Sequence, residues 1–99
     1  MMEIQVAALA EQDLDSIWDY VAEASGNAET ADRLILRIVS VFKVLASNPK
    51  AGIQREDMAA GLRCIPCGIY IVYYTMDSQY VKIVRIVHGM RDQHKAFHQ

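Results

Sequence analysis

The sequence lacks the segments that direct a chain into a membrane or out of the cell. None of its apolar runs approaches the roughly 20 residues that a membrane-spanning helix needs. The first ten residues, MMEIQVAALA, contain an acid and no basic residue, which is unlike a secretory signal peptide. Internal repeats, low-complexity stretches and linkers are also missing. We therefore expect one domain spanning residues 1–99 that acts in the cytoplasm and has no membrane partner.

Groups that carry out chemistry are equally scarce. The sequence has no glycine-rich phosphate loop, no Ser-His-Asp combination and no paired carboxylate site. Its two cysteines, Cys64 and Cys67, form a C-x-x-C motif, but a zinc site needs four ligands and no second pair exists. They flank a predicted strand end rather than a helix N-terminus, where a thiol would be activated. We predict two half-buried apolar cysteines, no metal, no cofactor and no catalytic residues.

The residues that are present suit a small globular domain. Hydrophobic residues make up 53% of the chain and charged residues 22%, which excludes a wholly disordered protein. The formal net charge of −2 argues against strong binding to nucleic acid. Residues 1–30 contain seven acids and no Lys or Arg, whereas residues 31–99 contain ten bases and five acids. The basic part could meet phosphate or an acidic protein segment, and composition does not distinguish the two.

Hydrophobic periodicity predicts a short strand at Ile4–Val6 followed by two helices. Residues 9–24 place apolar side chains at i, i+3, i+4 and i+7, as an amphipathic helix does. Gly26 suits a left-handed C-cap and Asn27 an N-cap, so a second helix follows at once. Its apolar stripe consists of Ala31, Leu34, Ile35, Ile38, Phe42 and Leu45. Asn48-Pro49 ends this helix, and the short link predicts an antiparallel helical hairpin.

The last third of the chain has the pattern of β-strands. The predicted strands are Leu62–Pro66, Ile69–Thr75 and Tyr80–His88, preceded by a connecting loop at 50–60. The middle strand is apolar at almost every position, which is typical of a central strand covered on both faces. Short turns between the strands predict an antiparallel meander. The fold class is therefore α+β, in the order β-α-α-β-β-β, with a helical hairpin packed on a small antiparallel sheet.

Three motifs in the C-terminal half support a family resemblance. They are Gly61-Leu62-Arg63, then Pro66 followed by GIYIVY at 68–73, and VRIVHGMRD at 84–92. In order and spacing these motifs resemble the ParE branch of the ParE/RelE superfamily of toxins, and the resemblance covers nearly the whole chain. It implies the RelE/ParE-like fold and the toxin component of a type II toxin–antitoxin system. The implied partner is a cognate, ParD-like antitoxin that neutralises the toxin.

The resemblance leaves two activities to be distinguished. RelE-like members cut messenger RNA on the ribosome, whereas ParE-like members bind and inhibit DNA gyrase. RelE-like nucleases typically carry an Arg in the central strand where this chain has Tyr70, and a Tyr near the C-terminus where it has Phe97. These differences favour a gyrase-binding toxin that makes no direct contact with nucleic acid. The alternatives are a RelE-like messenger RNA endonuclease, with His88 as a candidate proton carrier, and a non-toxic antitoxin-binding module of the same fold.

Two sets of residues are candidates for function. The first set follows the last strand, where an Arg and an aromatic side chain could anchor contact with the target. Its members are Arg91, His94, Lys95 and Phe97. The second set would serve a nuclease or have a purely structural role. Its members are Arg63, Arg85 and His88.

The positions of Arg85 and His88 along the last strand lead to separate expectations. In an extended strand Arg85 shares a face with the apolar Val81, Ile83 and Val87. A charge in such a row needs a carboxylate partner, and Asp92 is the nearest candidate in sequence. His88 lies on the opposite face, so the two basic residues converge only if the strand bends. We expect His88 to occupy a turn or a hydrogen-bonded position before Gly89.

Overall fold

The computed structural model describes residues 1–90, in which two helices pack on a five-stranded sheet. The elements in chain order are β1 Glu3–Val6, α1 Ala8–Ser25, α2 Ala28–Ser47, β2 Ile53–Gln54, β3 Arg63–Cys67, β4 Tyr70–Met76 and β5 Tyr80–His88. The α+β class and the helical hairpin are confirmed. Neither helix in this part of the chain has the length and apolar composition needed to cross a membrane.

The sheet is mixed, with the strand order β1-β5-β4-β3-β2. Strands β3, β4 and β5 form the predicted antiparallel meander. Strand β1 pairs in parallel with β5, with Ile4 opposite Val81. The short strand β2 pairs antiparallel with β3. It was not predicted, because Ile53 and Gln54 are too few to show an alternating pattern.

Local signals set the junction between the two helices, as the sequence predicted. Gly26 adopts φ 66°, a left-handed conformation that glycine tolerates without strain, and it caps the end of α1. Asn27 then caps the start of α2, where its Oδ1 accepts a hydrogen bond from the backbone N–H of Glu29 at 2.9 Å. Because only two residues separate the helices, they return alongside each other as an antiparallel hairpin.

The hairpin covers one face of the sheet, and a second cluster covers the other. The predicted stripe of α2 faces the first core, where Ala31, Ile38, Phe42 and Leu45 are buried. The second cluster contains Met58, Leu62, Cys64, Tyr73 and Val87. Alternate residues of β4 enter the two cores, since Tyr74 joins the first and Tyr73 the second. The central strand is therefore buried on both faces, as predicted.

Tyr74 joins the segment after α2 to the sheet. Its hydroxyl donates to the carbonyl oxygen of Pro49 at 2.7 Å and accepts from the backbone N–H of Gly52 at 2.9 Å. Arg63 donates from Nη1 to the carbonyl oxygen of Gly52 at 2.8 Å. A Cβ atom on Gly52 would lie 2.6 Å from the carbonyl oxygen of Cys64, so a larger residue would displace the backbone. Tyr74 and Arg63 therefore both hold the backbone of Gly52, which leads into β2 at the edge of the sheet.

We expect Tyr74→Phe to lower the free energy of unfolding by about 1–3 kcal/mol, because loss of the hydroxyl leaves buried backbone groups without a hydrogen bond. Urea unfolding followed by circular dichroism measures the change. Tyr80→Phe is the matched control, since the Tyr80 hydroxyl makes no hydrogen bond within residues 1–90. Equal stability of the two variants would show that the Tyr74 hydroxyl contributes nothing.

Candidate functional site

An open groove lies between α1 and the adjoining ends of β4 and β5. Its volume is about 550 Å³. It is lined by Asp13, Ser16, Ile17, Tyr20, Ile69, Tyr70, Ile86 and His88. The four residues from α1 recur at i, i+3, i+4 and i+7, so they share one side of that helix. Tyr20 and Ile69 are 70% and 62% exposed, and such large exposed apolar side chains beside a groove are typical of a surface that binds a partner.

One residue that lines the groove, Asp13, belongs to a nearly buried ion pair. Asp13 accepts hydrogen bonds from Nε of Arg85 at 2.8 Å and from Nη2 at 3.0 Å. The same carboxylate accepts from the backbone N–H of Ile86 at 2.8 Å. The Arg85 and Asp13 side chains are only 14% and 13% exposed. These hydrogen bonds raise the pKa of Arg85 above its usual value, although burial acts in the opposite direction. The pair clamps α1 to β5.

The expectation that Arg85 has a carboxylate partner is confirmed, but the partner that the structure gives it is Asp13 in α1. Asp92, which was the nearest candidate in sequence, lies outside the described residues. Asp13 is 72 positions away from Arg85 along the chain. No local sequence pattern marks Asp13 as this partner, because a contact between residues so far apart in the chain leaves no such pattern.

The predicted surroundings of Arg85 were wrong. The pairing of β4 with β5 shifts register between Tyr73 and Tyr74, which lie opposite Arg85 and Ile83. The extra residue reverses the alternation along β5. Ile83 therefore packs in the core under the helices, while Val87 packs in the cluster on the other face of the sheet. Arg85 does not belong to a single row with these two residues.

His88 lies at the end of β5 and lines the groove. Its Nδ1 accepts a hydrogen bond from the backbone N–H of Met90 at 3.0 Å, which confirms the predicted hydrogen-bonded position before Gly89. The imidazole meets the ring of Tyr70 edge-on, with ring centroids 5.6 Å apart. Burial raises the pKa of Tyr70. The shifted register of β5 places His88 on the side of the sheet that faces the helices. His88 therefore lines the same groove as Asp13, the partner of Arg85.

The basic candidates for a nuclease site are held by separate structural partners. Arg63 reaches toward β2 at one edge of the sheet, and Arg85 reaches toward α1. Strand β4 separates their strands, which places the backbones roughly 10 Å apart at two strand spacings. Arg55 pairs with Asp57 at 3.0 Å within the loop before β3. Within residues 1–90 these guanidinium groups do not converge on one point, as stabilising a reacting phosphate would require.

The two cysteines belong to the cores of the domain. Cys64 and Cys67 are 4% and 6% exposed, so they are apolar as predicted and more deeply buried than expected. They pack in different clusters on opposite faces of the sheet. Burial raises the pKa of Cys64, which keeps its thiol protonated. In the described part of the chain no group of three or more His, Cys, Asp or Glu side chains could hold a metal ion.

The residues predicted to contact the target lie outside the described residues. They are Arg91, His94, Lys95 and Phe97. The groove itself was not predicted, because its lining comes from three segments that are distant in sequence. The one available signal was the spacing of Asp13, Ile17 and Tyr20, which belong to the same side of a predicted helix.

Comparison with known proteins identifies the family. The family model described as the ParE toxin of the type II toxin–antitoxin system parDE matches residues 4–93. Toxin ParE1 of Caulobacter vibrioides is 28% identical over 88 residues, which cover 89% of this chain and 90% of the relative. Toxin ParE3 of the same organism is 35% identical over 77 residues, which cover 78% of this chain and 76% of the relative.

Solved structures share the fold at lower sequence identity. The chromosomal ParDE system of P. aeruginosa superposes with a TM-score of 0.77 at 24% identity, covering 89% of this chain and 96% of that one. The RelBE2 toxin–antitoxin complex of Mycobacterium tuberculosis gives 0.64 at 20% identity, with 88% and 96% covered. Since the family match extends over both helices and all five strands, the chain belongs to the ParE toxin family of type II toxin–antitoxin systems.

Proposed function

We propose that this ParE-family toxin inhibits DNA gyrase in the cytoplasm by direct protein contact and is neutralised by a cognate ParD-like antitoxin. The observation that carries the proposal is the separation of the basic groups in residues 1–90. Arg63 and Arg85 are each held by a structural partner on a different element. A nuclease would need such cations around one phosphate, whereas a toxin that binds its target needs only an exposed contact surface.

The groove is the proposed docking site for the antitoxin. Its apolar lining and the exposed Tyr20 and Ile69 suit the apolar side chains of a partner segment. A disordered antitoxin tail would become ordered on binding, which costs affinity but allows it to follow a long surface. Two of the proteins that share the fold were solved as toxin–antitoxin complexes, RelBE2 and DinJ-YafQ.

The antitoxin would also carry the DNA-binding part, so the isolated toxin should bind operator DNA weakly.

The segment after β5 is the proposed contact with gyrase. We expect Arg91→Ala to weaken inhibition of supercoiling by about tenfold or more, because an interface arginine often anchors binding. Its melting temperature and its affinity for the antitoxin should equal those of the wild type. Relaxed plasmid, gyrase and increasing amounts of toxin provide the assay. Lys50→Ala, which removes an exposed base from the turn after α2, is the control and should inhibit like the wild type.

Three results would contradict the proposal. Wild-type protein that leaves supercoiling unchanged well above the gyrase concentration would identify a non-toxic binding module. A fall in melting temperature and antitoxin affinity for Arg91→Ala would show that the segment is structural. Codon-dependent cleavage of messenger RNA on translating ribosomes, abolished by Arg63→Ala or His88→Ala, would establish the nuclease alternative.

A further inference from the structure

The side of α2 that faces away from the sheet combines exposed apolar and basic side chains. Leu36 and Val44 are 68% and 52% exposed. Arg33, Arg37 and Lys43 lie in the same stripe, because all five residues follow the helical repeat on the side opposite the buried residues. In the described part of the chain no ion pair joins these three bases to an acid. An acidic partner surface would complement this stripe.

The outward side of the neighbouring helix α1 carries the opposite charge. Its acids recur every four residues and are all exposed: Glu11, Asp15, Asp19 and Glu23. Like charges at this spacing destabilise a helix, and α1 contains no Lys or Arg to offset them. Across residues 1–90 these acids form no ion pair either. We call the acidic row of α1 and the basic and apolar stripe of α2 together the hairpin face.

The charged residues in the two rows of the hairpin face lie at similar heights, measured along the axes of the two helices. The helices run antiparallel, and the hydrogen bond from Nε1 of Trp18 to Oδ1 of Asp32 at 2.8 Å fixes their relative height. The rise per residue is the same in both helices, so the remaining positions follow. By this measure Asp19 and Arg33 lie within about 3 Å of the same height, as do Asp15 and Arg37, and Glu11 lies within about 6 Å of Lys43.

We propose that the hairpin face docks on the hairpin face of a second copy of this chain. A two-fold axis parallel to the helices places α1 of one copy over α2 of the other. Each residue keeps its height along the helix axis in this rotation. Glu11, Asp15 and Asp19 then each lie near a base of the partner copy, while Glu23 has no basic counterpart, and every contact occurs twice. Leu36 and Val44 are buried from water in the same contact. The charge pattern is therefore complementary to itself.

The size of the hairpin face predicts a weak dimer. Helix α1 is about 27 Å long at 1.5 Å per residue, and two packed helices are about 20 Å wide. The contact covers roughly 500 Å² on each copy, which is at the low end of specific interfaces. Dissociation occurs in the micromolar range, and the dimer weakens as salt screens its exposed charges. The groove opens on another side of α1, so the dimer leaves the proposed antitoxin site accessible.

Sedimentation velocity of the purified full chain tests the proposal from low to high micromolar concentration. The wild type should dimerise reversibly. Asp15→Arg and Arg37→Glu should each raise the dissociation constant at least about tenfold, because each places like charges at both two-fold contacts. An equal mixture of the two variants should dimerise like the wild type, since both contacts then join opposite charges. This rescue separates a specific contact from a loss of folding.

Lys82→Glu is the matched control, because it changes the net charge as Arg37→Glu does but lies on β5. It should dimerise like the wild type. A monomeric wild type, a dimer that survives both reversals, or a mixture that fails to recover would each overturn the proposal. Loss of antitoxin binding by Asp15→Arg would assign the hairpin face to the antitoxin and overturn it as well. An antitoxin affinity that is unchanged in all variants supports it.

Discussion

Asp13→Ala is expected to lower the free energy of unfolding by about 3–5 kcal/mol, the typical cost of breaking a buried ion pair by removing one partner. The carboxylate accepts two hydrogen bonds from the Arg85 side chain and a third from the backbone N–H of Ile86. All three are lost together, in surroundings that expose little of either side chain. For a chain of this length the melting temperature should fall by more than about 10 °C, as differential scanning calorimetry would measure.

Companion variants separate charge from packing. Asp13→Asn keeps the shape and one acceptor oxygen, so its stability should lie between those of Asp13→Ala and the wild type. The double variant Asp13→Leu with Arg85→Met should recover much of the loss, because an apolar pair of similar volume can replace a buried ion pair at little cost. Asp15→Ala, two positions along the same helix and exposed, should melt like the wild type. A loss below about 1 kcal/mol for Asp13→Ala would mean that water screens the pair.

Ile69→Asp is expected to weaken binding of the antitoxin about 100-fold, because it places a charge that must lose its water where the groove should receive an apolar side chain. Ile69 is 62% exposed in the turn before β4, so the variant should fold normally. Ile53→Asp is a closely matched control. Ile53 is 66% exposed but lies on β2 at the other edge of the sheet. Calorimetric titration with the proposed cognate antitoxin measures both affinities.

The outcomes of this titration identify the docking surface. If Ile69→Asp and Ile53→Asp bind as tightly as the wild type, the antitoxin docks away from the groove. If both variants bind the antitoxin weakly, the added negative charge lowers the affinity wherever it is placed, and the groove is not identified as the docking surface. Tyr20→Ala, on the opposite wall of the groove, should weaken binding about tenfold. These results are independent of the gyrase assay, so the antitoxin site and the proposed target can fail separately.

The parts of the fold that depend on neighbouring residues could be predicted without a structure. The apolar repeat of α2, the caps at Gly26 and Asn27 and the stop at Asn48 act within one or two turns of helix, so they can be recognised without a structure. The meander was equally accessible, because short turns join strands that pair with their neighbours in sequence. The family resemblance came from motifs in this same C-terminal part of the chain.

Contacts between residues that are distant in sequence could not be predicted and are seen only in the folded chain. The parallel pairing of β1 with β5 and the contact of Asp13 with Arg85 join opposite ends of the chain, and no local pattern encodes them. The register shift opposite Tyr73 and Tyr74 has no sequence signal, yet it reverses the alternation along half of β5. That one extra residue places Ile83 in the core under the helices and Val87 in the cluster on the far face. The groove exists because these long-range contacts bring one side of α1 against the ends of two strands.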